Sequence, residues 1–192
     1  MQTVHNIKEL DQVVSTEEMR LFEKKEFLKK KSYFFMKNAG KQVFDLIKKN
    51  FKNKQPKIVL CGPGNNGGDG FIIAKHLIDH GHKTKVYALL NKKSYKGDAF
   101  KALNEYGEKI KKISSFRIKK NALIVDAIFG IGLSRNIKGK LKKIFNQINK
   151  SNNRVVSVDI PSGVCSNTGE ILGSAIKADF TITFHRKKIG HI

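Results

Sequence analysis

The sequence has few cysteines and no long apolar run, and both shortages exclude classes of protein. Cys61 and Cys165 lie too far apart for a zinc or redox motif, so we expect neither a disulfide nor a chemical role for them. The first twenty residues lack an apolar stretch suited to a signal peptide, and Asp126 interrupts the most apolar segment, residues 122–133. With 192 residues, 40% of them hydrophobic, the sequence predicts one soluble, cytoplasmic domain.

Acidic residues are also scarce, since 16 Asp and Glu against 38 Lys and Arg give a net charge of +22. Such a charge first suggests a nucleic acid or an anionic membrane as partner. However, only five of the basic residues are arginines, whose forked side chain favours base contacts, and the lysines spread along the whole chain. A lysine-rich composition explains the charge better, so we predict no nucleic-acid and no membrane partner. A nucleic-acid-binding protein stays a rival hypothesis, and it predicts tight, salt-sensitive binding.

Two helices are predicted in the amino-terminal part of the chain. Ser15 offers a capping hydroxyl ahead of Glu17 and Glu18, so a helix starts there and runs toward Lys30. An apolar stripe at helical spacing predicts the second helix: Phe35, Met36, Ala39, Val43, Phe44 and Ile47. We assign the amino-terminal helices to about residues 1–52, and the part before residue 15 stays ambiguous.

From residue 57 onward, short apolar runs alternate with stretches of helix-like spacing. The runs predict strands at residues 57–61, 85–90, 122–125, 154–158 and 180–184. The stretches predict helices at residues 69–80, about 97–112 and about 138–150, and Gly81 is placed to end the first of them. This alternation predicts a three-layer, doubly wound, Rossmann-like α/β core over about residues 57–192, with helices on both faces of a mostly parallel sheet. Ligands of such folds bind at the carboxyl ends of the strands.

The first predicted strand is followed by a glycine-rich segment, GPGNNGGDG, over residues 62–70. It contains G-x-G-x-x-G between a strand and a helix, where backbone N–H groups and the helix dipole favour a phosphate. That fingerprint alone has little specificity. A nicotinamide dehydrogenase would also carry an acidic residue near the end of the next strand, where Leu89, Leu90 and Asn91 stand instead. An ordinary hydride-transferring enzyme is therefore disfavoured.

Two further strand-end segments have residues suited to ligand binding. The segment DAIFGIGLSRN, residues 126–136, has two glycines that let the backbone approach a ligand closely. The segment DIPSG, residues 159–163, places the carboxylate of Asp159 at the last strand position and the hydroxyl of Ser162 just past a rigid proline turn. Both segments therefore belong to the candidate site.

Each carboxylate and hydroxyl of these segments also has a purely structural interpretation. Asp159 and Ser162 could cap their own turn, and Asp69 could cap the helix that begins beside it. We nevertheless expect Asp69, Asp126 and Asp159 to approach one crevice, because the carboxyl ends of parallel strands share one edge of a sheet. The coincidence of two glycine-rich loops and a D-x-P-S-G turn at that edge favours a ligand site.

In chain order, the motifs GPGNNGGDG, DAIFGxGL and VDIPSG resemble the NAD(P)H-hydrate epimerase family, also called the YjeF N-terminal domain. The resemblance covers about residues 14–192, including TEEM, FMKNAG and ADFTITF. It implies an isomerase that interconverts the R and S forms of hydrated NADH and NADPH. Lys37 departs from the family, which usually has a glutamate there. The sequence also stops before the family's final strand, so we expect the sheet to lack that edge strand.

The resemblance further implies roles for individual residues. The substrate-binding residues that it implies are Asn65, Asn66, Gly67, Gly68, Asp69, Gly130, Ile131, Gly132, Leu133, Ser134, Arg135, Asn136 and Asp159. It implies a potassium ion bound by Asn66, Asp126 and Ser162, whose oxygen atoms suit a hard cation. It also puts Asp159 beside the hydrated nicotinamide ring, and we expect this carboxyl to act as the catalytic acid and base that removes and returns the ring hydroxyl.

Several alternatives stay open. A catalytically silent module of the same fold, binding a nucleotide or a protein, is the leading rival, and neither the preference between NADH and NADPH hydrates nor the choice between monomer and homodimer is decided. The family's fused dehydratase domain has no counterpart here, so we predict no dehydratase activity. We assign no metal role to His76 and His80. His185 and His191, beside Lys188, are interpreted as part of a solvated basic segment.

Overall fold

The structure, a computed structural model, describes residues 13–192. The part of the helical prediction that falls on residues 1–12 lies outside the described residues. The helices are α1 (Thr16–Lys29), α2 (Ser32–Asn50), α3 (Asn65–Asp79), α4 (Gly97–Tyr106) and α5 (Gly139–Asn149). The strands are β1 (Val13–Val14), β2 (Lys57–Cys61), β3 (Thr84–Ala88), β4 (Ile110–Lys112), β5 (Leu123–Ala127), β6 (Arg154–Val158), β7 (Phe180–Ile182) and β8 (Lys187–Lys188).

The main sheet has six parallel strands in the order β4-β3-β2-β5-β6-β7. The chain builds outward from β2 in one direction through β3 and β4, and then returns to β5 and builds in the other direction. The order therefore reverses between β2 and β5, which opens a crevice at the carboxyl ends of these two strands. The predicted doubly wound α/β fold is confirmed.

Alternate residues of the central strands face two hydrophobic layers. Val59 and Cys61 face the layer that holds α2, α3 and α4, whereas Ile58 and Leu60 face the layer that holds α5. Strands buried on both faces are apolar throughout, which is why the sequence shows them as continuous runs rather than as alternating patterns. This central packing fixes the strand ends on which the crevice depends.

The residues that precede the main sheet are attached at the end of the molecule where the crevice lies. Ser15 caps α1 by accepting a hydrogen bond from the Glu18 backbone N–H at 3.2 Å, and the Glu18 carboxylate accepts one from the Ser15 N–H at 2.8 Å. This is the predicted capping arrangement. The backbone N–H of Thr16 also donates to the side-chain oxygen of Asn167 at 2.7 Å. Strand β1 pairs with β8, so both ends of the described chain meet beside the crevice.

Several element boundaries differ from the predicted ones for local reasons. The helix predicted to reach residue 112 ends at Tyr106, because Gly107 adopts a left-handed conformation with φ of 70°. The short edge strand β4 that follows was missed, since its sequence IKK is mostly polar and exposed. Strand β5 continues through Ala127, and so Asp126 lies inside the strand rather than in the loop after it. Helix α3 begins at Asn65, four residues earlier than predicted.

Candidate active site

A cavity of about 590 Å³ lies at the carboxyl ends of the central strands. Its walls come from α1, the start of α2, the start of α3, residues 128–135, Asp159 and residues 184–188. The three glycine-rich or proline-turn segments singled out in the sequence therefore meet at one place. Of the three carboxylates expected to approach one crevice, Asp69 and Asp159 line the cavity, whereas Asp126 does not.

The glycine-rich segment that follows β2 is mostly helix rather than loop. Helix α3 starts after Gly64, which supplies no side-chain cap, so its first N–H groups face the cavity end of the sheet. Asn65, Asn66 and Asp69 line the cavity. Asp69 lies inside the helix, so it does not cap it, and the structural alternative considered for it is wrong.

Gly67 and Gly68, predicted to contact the substrate, lie outside the residues that line the cavity. A Cβ at Gly67 would overlap the carbonyl oxygen of Gly62, and one at Gly68 would lie 2.6 Å from the Met36 side chain. These two glycines therefore have a packing role, because they let α3 approach the strand end and α2 closely. Asn136, the last residue of the second predicted segment, also lies outside the lining.

Asn66 has a buried side chain whose amide nitrogen and oxygen both lack a hydrogen-bond partner. Buried amide groups are almost always satisfied in proteins, and an unsatisfied one that borders a cavity indicates a bound group. A Cβ at Gly130 would lie 3.5 Å from the Asn66 side chain, so the amide faces the loop that follows β5. Asn66 is therefore suited to contact a ligand or an ion.

Asp126 and Ser162 are both fully buried and lie outside the residues that line the cavity. The Asp126 carboxylate accepts hydrogen bonds from the Ser162 hydroxyl at 2.6 Å, the Ser162 backbone N–H at 2.9 Å and the Ser157 hydroxyl at 2.9 Å. Burial raises the pKa of Asp126 above its ordinary value, while the hydrogen bonds from Ser162 and Ser157 act in the opposite direction. The Asp126 carboxylate thus fixes the proline turn after β6 to the end of β5. A ligand site built from these two segments would need such a connection.

Asp159 follows the last residue of β6 and has φ of 68°, in the left-handed region that side chains other than Asn and Asp rarely adopt. Its backbone N–H donates to the carbonyl of Ile182 at 2.7 Å. One carboxylate oxygen accepts from the Ile131 N–H at 3.3 Å. Because Gly130 has no side chain, this carboxylate fits against the loop, where a Cβ would lie 2.8 Å from it. The turn therefore aims the Asp159 carboxylate into the cavity.

Lys188 was interpreted as part of a solvated basic segment, and that interpretation is wrong. Its side chain is 2% exposed and lines the cavity. The ammonium group donates to the Asp159 carboxylate at 2.6 Å, the Thr183 hydroxyl at 2.7 Å and the Phe184 carbonyl at 3.2 Å. No local sequence signal separates Lys188 from the exposed Lys187 next to it, because only the pairing of β8 with β1 turns one inward.

The cavity is covered by residues of α1 that the sequence analysis did not single out. Arg20 and Glu23 line it, together with an aromatic wall in which Phe35 lies 5.7 Å from Phe27 and 6.4 Å from His185, between ring centroids. Burial, followed by the Asp159 charge, raises the pKa of Glu23. The cavity thus combines flat apolar surface with charged groups of both signs, which suits a ligand that has rings and phosphates.

A third carboxyl, that of Asp69, is buried close to these charges. Burial raises its pKa well above the ordinary value, and the negative charges of Asp159 and Glu23 act in the same direction. Asp69 is therefore held in its neutral form more strongly than a solvent-exposed aspartate. The cavity thus holds one carboxyl whose surroundings favour the neutral form, Asp69, and one that is paired with an ammonium group, Asp159.

The remaining sequence expectations concern groups outside the cavity. Cys61 is buried and Cys165 partly exposed, and both are free in the structure. His76 and His80 pack with Phe44 away from the cavity, and the described residues contain no group of three or more His, Cys, Asp or Glu side chains suited to a metal. Within residues 13–192, no helix combines the length and apolarity needed to cross a membrane.

The chain is similar to known proteins over most of its length. The family model described as YjeF-related protein N-terminus matches residues 32–190. The NAD(P)H-hydrate epimerase of Limosilactobacillus reuteri is 35% identical over 185 residues, covering 94% of this chain and 87% of the relative. That of Lentilactobacillus buchneri is 32% identical over 186 residues, covering 94% and 86%.

Other relatives are longer or more distant. The bifunctional NAD(P)H-hydrate repair enzyme Nnr of Dictyoglomus turgidum is 39% identical over 163 residues, and the chain spans about a third (32%) of its length. A crystal structure described as yeast ynu0, YNL200c, has a TM-score of 0.78 at 24% identity and covers 94% of this chain and 83% of the yeast chain, which supports the fold. From the family match and the relatives of similar length, the chain belongs to the family of the YjeF-related protein N-terminus.

Proposed function

We propose that this chain is an NAD(P)H-hydrate epimerase, an isomerase that interconverts the R and S forms of hydrated NADH and NADPH. The names of the relatives of similar length support this activity. The observation in the structure that carries it is the contact of 2.6 Å between Asp159 and the buried Lys188 at the wall of the cavity. A carboxylate and an ammonium held together at a ligand site can exchange a proton with a bound molecule.

The substrate occupies the cavity with its phosphates at the glycine-rich elements. The helix dipole and free N–H groups at the start of α3 favour one phosphate. Residues 130–135 and the guanidinium of Arg135 form the other side of the cavity and contact the second. The aromatic wall around Phe35 leaves flat surface for a ring. Asn65, Asn66, Asp69 and Asp159 complete the set of substrate contacts.

The reaction inverts a ring carbon that carries a hydroxyl group and is bonded to the ring nitrogen. The nitrogen lone pair forms a double bond to this carbon as the carbon–oxygen bond breaks. The hydroxyl takes up one proton and leaves as water. Water then adds to the opposite face of the planar cation and gives back one proton, so atoms and charge balance over the cycle.

Asp159 and Lys188 together supply and recover that proton. Lys188 gives a proton to the Asp159 carboxylate, which passes it to the leaving hydroxyl. The pair is then left with one net negative charge beside the cationic ring, and this charge stabilises the intermediate. The same two groups accept the proton when water adds back. Fixing ring and carboxylate in one cavity contributes through proximity.

A potassium ion belongs to the same proposal, because the residues present fit a hard cation. The unsatisfied amide oxygen of Asn66, the carboxylate of Asp126 and the hydroxyl of Ser162 would hold it. When bound, the ion supplies positive charge that attracts oxygen atoms of the substrate. The test needs no turnover: the melting temperature Tm is measured in KCl and in NaCl at equal ionic strength. We expect a higher Tm in KCl for the parent chain.

Two variants decide whether this stabilisation comes from the proposed ion site. In Asn66→Ala the difference in Tm between KCl and NaCl disappears, whereas Asn104→Ala, at an exposed position on α4, keeps it. Equal Tm values in the two salts for the parent chain would reject a potassium site.

The activity itself is tested with one purified epimer of hydrated NADH, in the presence of potassium. The appearance of the other epimer is followed by chromatography and compared with the spontaneous rate. Asp159→Asn should lower kcat by about 10²- to 10⁴-fold, the usual contribution of a general acid or base, with KM nearly unchanged. Asp79→Asn, a substitution of an exposed carboxylate on α3, should change neither constant.

A folded parent chain that binds the hydrate without accelerating its epimerisation would support the catalytically silent module instead. We further propose a cytoplasmic location, which two free cysteines suit. A homodimer stays a prediction, and sedimentation of the purified chain tests it.

A further inference from the structure

His191 contacts both members of the Asp159–Lys188 pair through their main chains. One ring nitrogen, Nε2, lies 2.8 Å from the carbonyl oxygen of Asp159. The other, Nδ1, lies 2.9 Å from the backbone nitrogen of Lys188. A single imidazole ring therefore connects the turn that presents the carboxylate with the strand that presents the ammonium group.

The two partners of the ring determine which nitrogen of His191 carries the proton. A backbone N–H can only donate, so Nδ1 accepts from the Lys188 N–H at 2.9 Å. Nδ1 also lies 3.3 Å from the Lys188 carbonyl oxygen, but a neutral ring with its proton on Nδ1 would lose both shorter contacts. A backbone carbonyl can only accept, so Nε2 must donate to Asp159. Both contacts are satisfied together by the neutral ring with its proton on Nε2.

Asp159 needs such support because of its conformation. Its φ of 68° lies in the left-handed region, which an aspartate adopts more readily than most residues but still at a cost. Contacts around the residue therefore help to hold it there. The backbone N–H of Asp159 is held by the carbonyl of Ile182. The contact from His191 holds the carbonyl on the other side of the same residue, so the two hydrogen bonds fix the direction of its carboxylate.

The segment that carries His191 is itself firmly placed. The backbone N–H of Gly190 donates to the carbonyl of Ser166 at 2.9 Å. A Cβ at Gly190 would overlap the carbonyl of Cys165, so this glycine lies flat against the loop after β6. Because the neighbouring residue is anchored independently, the ring of His191 has a fixed base from which to act on Asp159 and Lys188.

We propose that His191 is a positioning residue, which holds the main chains of Asp159 and Lys188 in register so that their side chains keep proton-transfer geometry. This inference rests on the proposed function. It predicts that loss of the ring lowers turnover more than it weakens substrate binding, since His191 is not among the residues that line the cavity.

Three variants of His191 separate its two contacts. His191→Leu removes both and should lower kcat by about 10- to 100-fold, the effect of a small misplacement of reacting groups, with KM within about twofold of the parent. His191→Gln places an amide nitrogen near the Nε2 position and restores donation to Asp159. His191→Asn places an amide oxygen near the Nδ1 position and restores acceptance from Lys188. We expect each amide variant to recover part of the loss in kcat.

His80→Leu is the matched control, because His80 is an exposed histidine directly after the last residue of α3 and is not among the residues that line the cavity. It should leave kcat and KM unchanged. Parental kcat in His191→Leu would overturn the proposal. So would an equal loss in the Leu, Gln and Asn variants accompanied by an equal drop in Tm, because that result describes a general structural role.

A second measurement does not depend on activity or on the folding of any variant. A two-bond ¹H–¹⁵N correlation spectrum of the parent chain reports which nitrogen of His191 is protonated. The neutral form with the proton on Nε2 is expected, and the opposite tautomer or a freely exchanging ring would overturn the proposed contacts. If the parent chain shows this tautomer but no epimerase activity, the proposed function fails and the positioning role fails with it, while the contacts themselves stand.

Discussion

Among residues 13–192, two lysines are buried, at opposite ends of the sheet, and their surroundings differ. Lys57, at the start of β2, donates to the carbonyls of Lys52 and Gln55, both at 2.8 Å. Lys188, near the carboxyl ends of the strands, donates to the carboxylate of Asp159 at 2.6 Å. Both residues are at most 1% exposed. Lys57 thus joins pieces of main chain, whereas Lys188 faces a cavity and is paired with a second ionisable group.

The comparison shows that burial of a charge does not by itself identify a functional residue. Burial lowers the pKa of Lys57, because desolvation of its charged form is unfavourable. The hydrogen bonds to the local main chain offset part of that cost. The Lys188 ammonium is paired with an opposite charge beside the cavity, and the proposed reaction uses the two for proton exchange. The nature of the partner and the access to a ligand distinguish the two sites, and substitutions at each test this distinction.

The largest expected difference between the two lysines is in activity. Lys188→Met removes the ammonium group and leaves the Asp159 carboxylate without its charged partner, so kcat should fall by at least about 100-fold. Lys57→Met, at the far end of the sheet, should leave kcat and KM unchanged. Both are measured by epimer interconversion on samples checked for folding. Equal losses in the two variants would remove the distinction between a functional and a structural lysine.

This contrast also shows where sequence reasoning reached its limit. Asp159 was identified because the D-x-P-S-G turn is local, with its carboxylate and hydroxyl within four residues. Lys188 gave no such signal, because its partner is 29 residues away and its inward orientation depends on pairing with β1. His191 was missed for the same reason. Local motifs were readable from the sequence, whereas a carboxylate–ammonium pair assembled by tertiary contacts was not.

The next largest effect concerns stability at the cavity. Lys188→Met leaves a partly buried carboxylate unpaired, which typically destabilises a protein by about 3–5 kcal/mol. The double variant Lys188→Met/Asp159→Asn removes the remaining charge as well, and it should recover a large part of that loss. Urea unfolding at neutral pH measures the three free energies of unfolding. A double variant as unstable as Lys188→Met would show that the two side chains contribute independently of their charges.

The central strands of the sheet were easier to predict than the edge strand β4 and the start of α3. The central strands were found because strands buried on both faces are continuous apolar runs. Strand β4 and the early start of α3 were not, because β4 is polar and exposed, and the residues 65–70 are rich in glycine, which disfavours helix in isolation. Tertiary packing overrides that preference, since glycines, which have no side chain, allow α3 to lie close to β2 and β5.

A smaller effect is expected at Asp69, whose surroundings are the reverse of those of Lys188. Burial and the charges of Asp159 and Glu23 raise its pKa, so the folded state holds the proton more tightly than the unfolded state. Stability is therefore lost as pH rises from the ordinary aspartate range through the raised pKa. Asp69→Asn should remove this loss and raise Tm at pH 7, by about 2–4 °C for each kcal/mol regained. At pH 4 the Tm values of variant and parent should converge, and a constant difference between them would contradict the raised pKa.

The smallest effect is expected for the stability of Lys57→Met. The substitution removes a buried charge, which is favourable, but it also leaves the carbonyls of Lys52 and Gln55 without their donor, which is unfavourable. These opposed contributions should leave a net change within about 1 kcal/mol. The sign of this net change depends on pH. Because burial lowers the pKa of Lys57, the unfolded state binds more protons than the folded state at alkaline pH. The parent chain therefore gains stability as pH rises from the lowered pKa toward the ordinary lysine value. Urea unfolding of both chains across that pH range should show this gain in stability in the parent and not in the variant. Parallel profiles of stability against pH would mean that the lysine charge is as well solvated in the folded chain as in the unfolded one.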